Sequence, residues 1–142
     1  MLFVLDTDHM SVLEWGFGEV GQRLIGRLNT VPIGEAATTI ITFEEQTRRW
    51  LSVVARSRSL DEQVDAYTRL KRLLMNYLKI EVLDFDAPAA AEFERLQGLR
   101  LRVGTMDLKI AAIALAHSAT VLTRNVKDFG LVPELRVEDW TE

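Results

Sequence analysis

Residues 1–11 read MLFVLDTDHMS, in which five apolar side chains run directly into Asp6 and Asp8. A short, continuously apolar run is typical of a parallel strand that is covered on both faces, so the stretch predicts a buried strand over residues 2–5. Carboxylates at the end of such a strand are costly to bury unless something offsets their charge. The remaining sequence must therefore supply what compensates Asp6.

The composition excludes several classes of protein. The 142 residues are 48% hydrophobic and 27% charged, which is typical of a globular domain, and we expect one domain over 1–142. The absence of cysteine excludes disulfides, thiolate metal sites and cysteine nucleophiles. No apolar run is long enough to span a membrane, and the N-terminus lacks the features of a signal peptide. A cytoplasmic location without a membrane partner is therefore expected.

The charge is unevenly distributed along the chain. The net charge of −4 argues against a simple basic nucleic-acid-binding protein. Residues 46–80, however, contain eight of the 17 basic residues and three of the 21 acidic residues. This segment can face a polyanion while the rest of the chain gathers negative charge, although two solvated helix faces would give the same pattern.

Beyond the first strand, segments with strand and helix periodicity alternate. The patterns predict strands over residues 36–42, 80–85, 119–123 and, at an edge, 135–140, and helices beginning at Met10, over 18–29, over 43–55, over about 61–78, after Asp86 and over 105–117. Thr42, three residues before Glu45, has the spacing of a capping box and is expected to cap the helix over 43–55. This alternation indicates an α/β fold with a mostly parallel central sheet of four or five strands and helices on both faces.

Acidic side chains lie close to the ends of three of these strands and at the start of a later helix. Asp6 ends the first strand, Glu44 and Glu45 open the helix after the second, Asp107 lies in the first turn of the alanine-rich helix, and Asp128 follows the fourth strand. Ligands of parallel sheets gather at the carboxyl ends of strands, so we expect these side chains at one edge. Carboxylates at close range repel, and a divalent cation relieves the repulsion. Oxygen ligands favour Mg²⁺ or Mn²⁺, which supports phosphodiester hydrolysis by metal-activated water.

Four motifs give the chain a resemblance to a known family. LDTDHMS at 5–11, IITFEEQ at 40–46, TMDLKIAAIALA at 105–116 and VLTRNVKDFGLVPELRVEDW at 121–140 occur in the order and spacing of PIN-domain ribonucleases. The chain resembles most the VapC toxins of type II toxin–antitoxin systems. The resemblance implies a three-layer α/β/α PIN-like domain with endoribonuclease activity that depends on Mg²⁺ or Mn²⁺. It also implies an RNA substrate and inhibition by a cognate VapB-like antitoxin.

The resemblance also assigns roles to residues of this chain. The acidic residues that it carries over as catalytic and metal-binding are Asp6, Glu45, Asp107 and Asp128. Thr123 and Asn125 match polar positions of the last motif and are expected to orient ligands or water. Asp8 stands where the family often has asparagine and adds a carboxylate at the rim of the site. Arg49 stands where glycine is common, and it can pair with Glu45 or reach a substrate phosphate.

The second carboxylate is ambiguous between Glu44 and Glu45. In a helix that starts at residue 43, the apolar face consists of Phe43, Thr47, Trp50, Leu51 and Val54. Glu44 lies near the edge of that face and Glu45 almost opposite, so periodicity favours Glu44 if the face packs on the sheet. The motif register favours Glu45, which we prefer, with Arg49 lining the site one turn later.

The preference for Glu45 has a structural consequence. It requires the apolar stripe of this helix to face a partner, so we expect Trp50 and Val54 at a dimer or antitoxin interface. The helices over 43–55 and 61–78 together present apolar residues, among them Trp50, Leu51, Val53 and Val54. We expect them to form the face of a homodimer and a groove for the antitoxin.

Two other functions fit parts of the sequence. DTD after an apolar strand also resembles the DxD motif of haloacid-dehalogenase phosphatases, in which Asp6 would be the nucleophile and Asp8 the acid/base. Lys109 and Lys127 are poorly placed for the lysine that this chemistry needs. A non-catalytic PIN-like module that binds RNA or protein is the second alternative, and the filled acidic positions disfavour it. His9 has no partner histidine at ligand spacing and is interpreted as structural.

Overall fold

The computed structural model describes residues 1–15 and 18–142, in which one or two helices lie between successive strands. The strands are β1 (Phe3–Leu5), β2 (Ala36–Thr39), β3 (Glu81–Leu83), β4 (Thr120–Leu122) and β5 (Arg136–Glu138). The helices are α1 (Thr7–Trp15), α2 (Gly18–Leu28), α3 (Ile40–Arg56), α4 (Leu60–Tyr77), α5 (Ala87–Gly98), α6 (Thr105–Ala116) and α7 (Val126–Phe129). All five strands are parallel and form one sheet in the order β3-β2-β1-β4-β5, which confirms the predicted α/β fold.

Helices cover both faces of this sheet. Successive strand residues point to opposite sides, so the apolar strands place side chains on both faces that must be buried. Val4 and Val121 belong to a core cluster formed with α5, α6 and α7. Leu5 and Leu122, the next residues along β1 and β4, belong to a second cluster formed with α1, α2, α3 and α4. This arrangement confirms the three-layer α/β/α architecture. No helix among the described residues is both long and apolar enough to cross a membrane.

The boundary between β2 and α3 differs from the prediction. The strand ends at Thr39 rather than Thr42, and the helix begins at Ile40. The N-cap is Thr39, whose hydroxyl accepts a hydrogen bond from the backbone N–H of Thr42 at 3.1 Å. The expectation that Thr42 caps this helix is therefore wrong. Ile41 and Thr42 are buried in the helix, so their tertiary packing overrides the β propensity of this branched stretch.

The strand order creates a crevice between two neighbouring strands. The chain passes outward from β1 through β2 to β3 and then returns to place β4 on the other side of β1. Ligands of parallel sheets bind where the strand order reverses in this way. The register pairs Leu5 with Leu122, so Asp6 and Thr123 leave the sheet side by side.

Candidate metal centre

Asp6 is fixed at this crevice by its neighbours on β1 and β4. Its backbone N–H donates to the carbonyl oxygen of Leu122 at 3.1 Å. Its carboxylate accepts hydrogen bonds from the Thr123 hydroxyl and, at 2.8 Å, from the backbone N–H of His9. The bond from His9 caps α1, which begins at Thr7, three residues before the expected start at Met10. The helix N-terminus therefore offsets part of the charge of Asp6.

The electrostatic environment of Asp6 is nevertheless unfavourable for its ionised form. The residue is 4% exposed, and this burial raises the pKa of Asp6 to about 6, although the hydrogen bonds from Thr123 and His9 lower it. A buried carboxylate of this kind is readily stabilised by a cation.

A second group of polar side chains meets at the start of α6 and after β4. The Asn125 side-chain amide donates a hydrogen bond to Asp128 at 3.1 Å and also hydrogen-bonds Asp107. Burial raises the pKa of Asp107, and the negative charges of Glu45 and Asp128 raise it further. The structure therefore places Asp107 near both of these carboxylates, with Asn125 between Asp107 and Asp128.

The two adjacent glutamates of α3 have different partners. Glu45 is half-buried and accepts a hydrogen bond from the hydroxyl of Thr7 at 2.5 Å, so it faces α1 and the crevice. Glu44 forms an ion pair with Arg48, whose side chain is largely exposed. The structure thus directs Glu45 toward the candidate site and Glu44 toward solvent.

The orientation of α3 depends on a buried polar residue that the periodicity argument overlooked. Gln46 is 1% exposed, and its amide accepts a hydrogen bond from the Tyr77 hydroxyl at 2.6 Å and donates one to the Ser11 hydroxyl at 3.1 Å. These bonds connect α3 to α4 and α1. Because Gln46 points inward, the preceding Glu45 lies at the edge of the buried face instead of opposite it.

The expectation that Trp50 lies at an interface with another chain is wrong. Trp50 is 7% exposed and belongs to the core cluster that contains Leu73 and Tyr77 of α4. The guanidinium of Arg69 lies 5.5 Å from the centroid of its ring, within the range of a cation–π contact. The apolar stripe of α3 is thus covered largely by α4 of the same chain, although Leu51 remains 52% exposed.

The candidate site is a cavity of about 360 Å³ outside the ends of β1 and β4. The side chains that line it include Asp6, Asp8, Asp107, Arg49 and Asn125. Arg49 also lines an adjoining depression together with Glu45, so it is shared by the two depressions. Within residues 1–15 and 18–142, no carboxylate forms an ion pair with Arg49. Its guanidinium therefore remains available to a phosphate at this site.

Asp8 lies at the rim, as expected, but its charge is compensated. Both of its carboxylate oxygens accept hydrogen bonds from Arg124, at 2.7 and 2.8 Å. This bidentate contact, together with the imidazole of His9, whose Nδ1 lies 3.8 Å from a carboxylate oxygen of Asp8, holds the pKa of Asp8 well below its usual range. The sequence motifs gave no sign that Arg124 is the partner, because the two residues are 116 positions apart.

The donor set fits a hard divalent cation. The predicted ligands are carboxylate oxygens, and burial raises the pKa of both Asp6 and Asp107, so a nearby cation would stabilise their ionised forms. Ligand atoms of Asp6, Asp8 and His9 lie within 4.8 Å of one another, whereas no three of the four predicted carboxylates do so in the described part of the chain. Mg²⁺ needs only one or two direct carboxylates, since it usually retains several waters.

Known proteins resemble the chain in sequence. Residues 4–134 match the PIN domain family. Ribonuclease VapC2 of Rickettsia felis is 35% identical over 66 residues, which cover 44% of the chain and 49% of that protein. The tRNA(fMet)-specific endonuclease VapC of Salmonella typhimurium is 35% identical over 66 residues, with 44% and 50% covered. The chain thus spans about half the length of these curated relatives.

Solved structures align over nearly the whole chain. DNA-bound VapBC from Salmonella typhimurium matches with a TM-score of 0.77 and 28% identity, covering 99% of both chains. VapBC-1 from nontypeable Haemophilus influenzae matches with a TM-score of 0.78 over 100% of both chains, and its 20% identity supports a likeness of fold alone. Together with the five-stranded parallel sheet and the match over residues 4–134, these similarities show that the chain belongs to the PIN domain family.

Proposed function

We propose that the chain, as one nuclease domain over residues 1–142, is a VapC-like endoribonuclease that depends on Mg²⁺ or Mn²⁺ and acts as the cytoplasmic toxin of a type II toxin–antitoxin module. The observation that carries this proposal is the crevice at β1 and β4, where Asp6 and Asp107 line one cavity. Glu45 and Asp128 are close enough to raise the pKa of Asp107. Relatives named ribonuclease and endonuclease VapC support the same reaction class.

In this proposal the four carboxylates of Asp6, Glu45, Asp107 and Asp128 would hold one or two cations, directly or through bound waters. When bound, the cation supplies a water of lowered pKa and compensates charge on the phosphodiester. Thr123 fixes the orientation of Asp6 by its hydroxyl, and Asn125 holds Asp107 and Asp128 by its amide. These contacts restrain the side chains of Asp6, Asp107 and Asp128.

Basic residues of α3 and α4 would bring RNA to this acidic crevice. Arg49 lines the cavity and is the residue best placed to bind the phosphate beside the bond that is cleaved. Most of the other basic residues between 46 and 80 lie on exposed positions of the same two helices. Their charge would attract the RNA backbone from a distance, and added salt would weaken this attraction.

The structure also weakens the phosphatase alternative. That reaction needs Asp8 as a proton donor and acceptor beside the nucleophile Asp6. The bidentate contact with Arg124 stabilises ionised Asp8 and occupies both of its oxygens. The metal-dependent nuclease requires no proton transfer at this position.

Purified protein incubated with total RNA tests the proposed activity. We expect cleavage with Mg²⁺ or Mn²⁺, none in excess EDTA, and recovery when the cation is restored, because a cation held by the carboxylates would activate the attacking water and compensate charge on the reacting phosphate. Fragment analysis on a denaturing gel measures the result. Undiminished cleavage in EDTA would exclude this mechanism.

The proposed antitoxin partner has a matching surface. An apolar groove of about 380 Å³ between α3 and α4 is lined by Phe43, Thr47, Tyr67, Leu70, Lys71, Leu73 and Leu74. We assign it to an amphipathic segment of a VapB-like protein, since apolar grooves between helices bind such segments. A homodimer of the chain is part of the same proposal.

Expression in a host cell tests this assignment. Expression alone should slow growth, and co-expression of the small protein encoded next to it should restore growth. Leu74→Glu, in the groove, should keep RNA cleavage but prevent the rescue, because a charge would be buried on binding. Leu60→Glu is the matched control, since Leu60 is 78% exposed on the same helix outside the groove. Equal rescue of both variants would place the partner elsewhere.

A further inference from the structure

His9 is a buried polar residue that the proposed cation site does not use. Its side chain is 0% exposed and lies next to Asp6 and Asp8, which line the cavity. Nε2 accepts a hydrogen bond from the backbone N–H of Trp140 at 3.2 Å. Nδ1 has no hydrogen-bond partner within normal distance and lies 3.8 Å from a carboxylate oxygen of Asp6 and 3.8 Å from one of Asp8. A buried ring nitrogen thus faces two carboxylates of the crevice.

The contact with Trp140 determines which ring nitrogen carries a proton. Because Nε2 accepts a hydrogen bond, a neutral His9 must carry its proton on Nδ1. A protonated imidazolium carries protons on both nitrogens. Nδ1 is therefore a donor whenever the Trp140 contact is intact, and it has no lone pair for a metal ion. His9 is thereby excluded as a ligand, even though its ring lies close enough to Asp6 and Asp8 for one.

The segment that holds His9 is itself firmly anchored. The Trp140 ring is buried, packs 4.6 Å from the ring centroid of Phe3, and is covered by the guanidinium of Arg27 at 4.6 Å. Asp139 accepts hydrogen bonds from the backbone N–H and the hydroxyl of Thr141, at 2.8 and 2.6 Å. The backbone N–H of Trp140 is thus a fixed donor, so the imidazole is held in one orientation from the side opposite the cavity.

We propose that His9 is a positioning residue for the cation site: the C-terminal segment, through the N–H of Trp140, fixes the His9 ring so that Nδ1–H points at the carboxylates of Asp6 and Asp8. This inference rests on the proposed function, because it takes Asp6 as a ligand. The N–H dipole attracts the ionised carboxylates and restrains the oxygens that would otherwise rotate. The backbone N–H of His9 holds the same carboxylate of Asp6, so main chain and side chain act together.

Two substitutions separate this role from simple packing. His9→Asn places an amide near the position of Nδ1 and so retains a donor toward the carboxylates, but it does not reach Trp140. His9→Gln places its amide near the position of Nε2, where it can accept from Trp140, but it lacks the donor toward Asp6. A positioning role predicts that Mn²⁺ affinity falls about tenfold or more in His9→Gln and much less in His9→Asn. A packing role predicts the reverse order.

The measurement is the Mn²⁺ dissociation constant of the purified full chain, followed by the electron paramagnetic resonance of free Mn²⁺, with thermal stability recorded for each variant. Weaker binding by His9→Asn than by His9→Gln, or equal binding by His9→Gln and the unsubstituted chain, would overturn the role of His9 alone. Failure of the unsubstituted chain to bind Mn²⁺ would instead overturn the proposed function and, with it, this inference.

A spectroscopic measurement on the unsubstituted chain decides the matter if both variants fail to fold. Nitrogen-15 NMR of the metal-free protein distinguishes protonated from unprotonated ring nitrogens. We expect His9 to carry its proton on Nδ1, with Nε2 unprotonated in the neutral ring. A proton on Nε2 and a free lone pair on Nδ1 would contradict the proposal, because Nδ1 would then repel the carboxylates.

Discussion

Asp6→Asn is expected to reduce RNA cleavage by roughly a thousandfold or more while the fold is retained. The substitution removes one negative charge from the cation site, which costs several kcal/mol of charge stabilisation, and each 1.4 kcal/mol or so is a tenfold change in rate. The side-chain oxygen of asparagine can still accept from the His9 N–H, so the cap of α1 is kept. Initial rates with saturating Mn²⁺ measure the effect.

Asp84 provides a matched control, because it is also an aspartate that directly follows a strand of the sheet. Asp84 directly follows β3 and is exposed, two strands away from β1. Asp84→Asn should therefore leave the cleavage rate close to that of the unsubstituted chain. Equal activity of Asp6→Asn and Asp84→Asn would exclude the role that we assign to Asp6.

The same variant makes an opposite prediction for stability. Burial raises the pKa of Asp6 from 3.8 to about 6, so between these values the native state keeps a proton that the unfolded state has lost. The free energy of unfolding that this retained proton contributes is fully present at low pH and is lost as the pH rises through 6. In EDTA, Asp6→Asn should gain stability relative to the unsubstituted chain between about pH 4 and pH 7.5, on the order of 3 kcal/mol.

Urea unfolding at the two pH values measures this difference. Added Mn²⁺ should reverse this stability difference above pH 6. The cation stabilises the ionised carboxylate of the unsubstituted chain, whereas the variant lacks this ligand. A stability difference that does not change with pH would show that Asp6 is ionised in the native metal-free protein throughout this range.

Glu45→Gln and Glu44→Gln should have unequal effects although the residues are adjacent. Glu45 is held by Thr7 and lies near Asp107, whereas Glu44 pairs with the largely exposed Arg48. We expect Glu45→Gln to lose most cleavage, roughly a hundredfold, because one charge near the cation is removed. Glu44→Gln should stay within about twofold, since exposed ion pairs contribute little.

Each of these variants is the control for the other, because both remove one charge from the same helical turn. Rates are compared at saturating Mn²⁺, so that a difference in cation affinity does not mask the effect on the reaction. A larger loss in Glu44→Gln would show that Glu44 reaches the cation during the reaction and that its pairing with Arg48 does not persist.

The placement of the acidic residues could be predicted because it follows from topology. Asp6 follows β1 and Asp128 follows β4, and these two strands are neighbours in the sheet because its strand order reverses at β1. The parallel sheet follows from apolar runs such as residues 2–5, which cannot face water on either side. These features depend on local patterns that the sequence displays directly.

The orientation of α3 could not be predicted in the same way. The apolar periodicity of this helix does not include Gln46, which is polar yet buried because Tyr77 and Ser11 satisfy its amide from two other helices. The expectation that Trp50 faces a partner chain came instead from the motif register that favoured Glu45, because neither pattern shows that α4 covers this face. The hydrogen bond between Trp140 and His9 likewise cannot be predicted from a local pattern, because the two residues are 131 positions apart.

Crystals soaked in Mn²⁺ and measured for anomalous scattering test the cation site most directly. We expect an anomalous peak in the crevice beyond β1 and β4, within bonding distance of carboxylate oxygens of Asp6 and Asp107, with no bond to Nδ1 of His9. The peak should be absent from crystals of Asp6→Asn. An empty crevice at a Mn²⁺ concentration that supports full RNA cleavage would contradict the proposal that these carboxylates hold the catalytic cation.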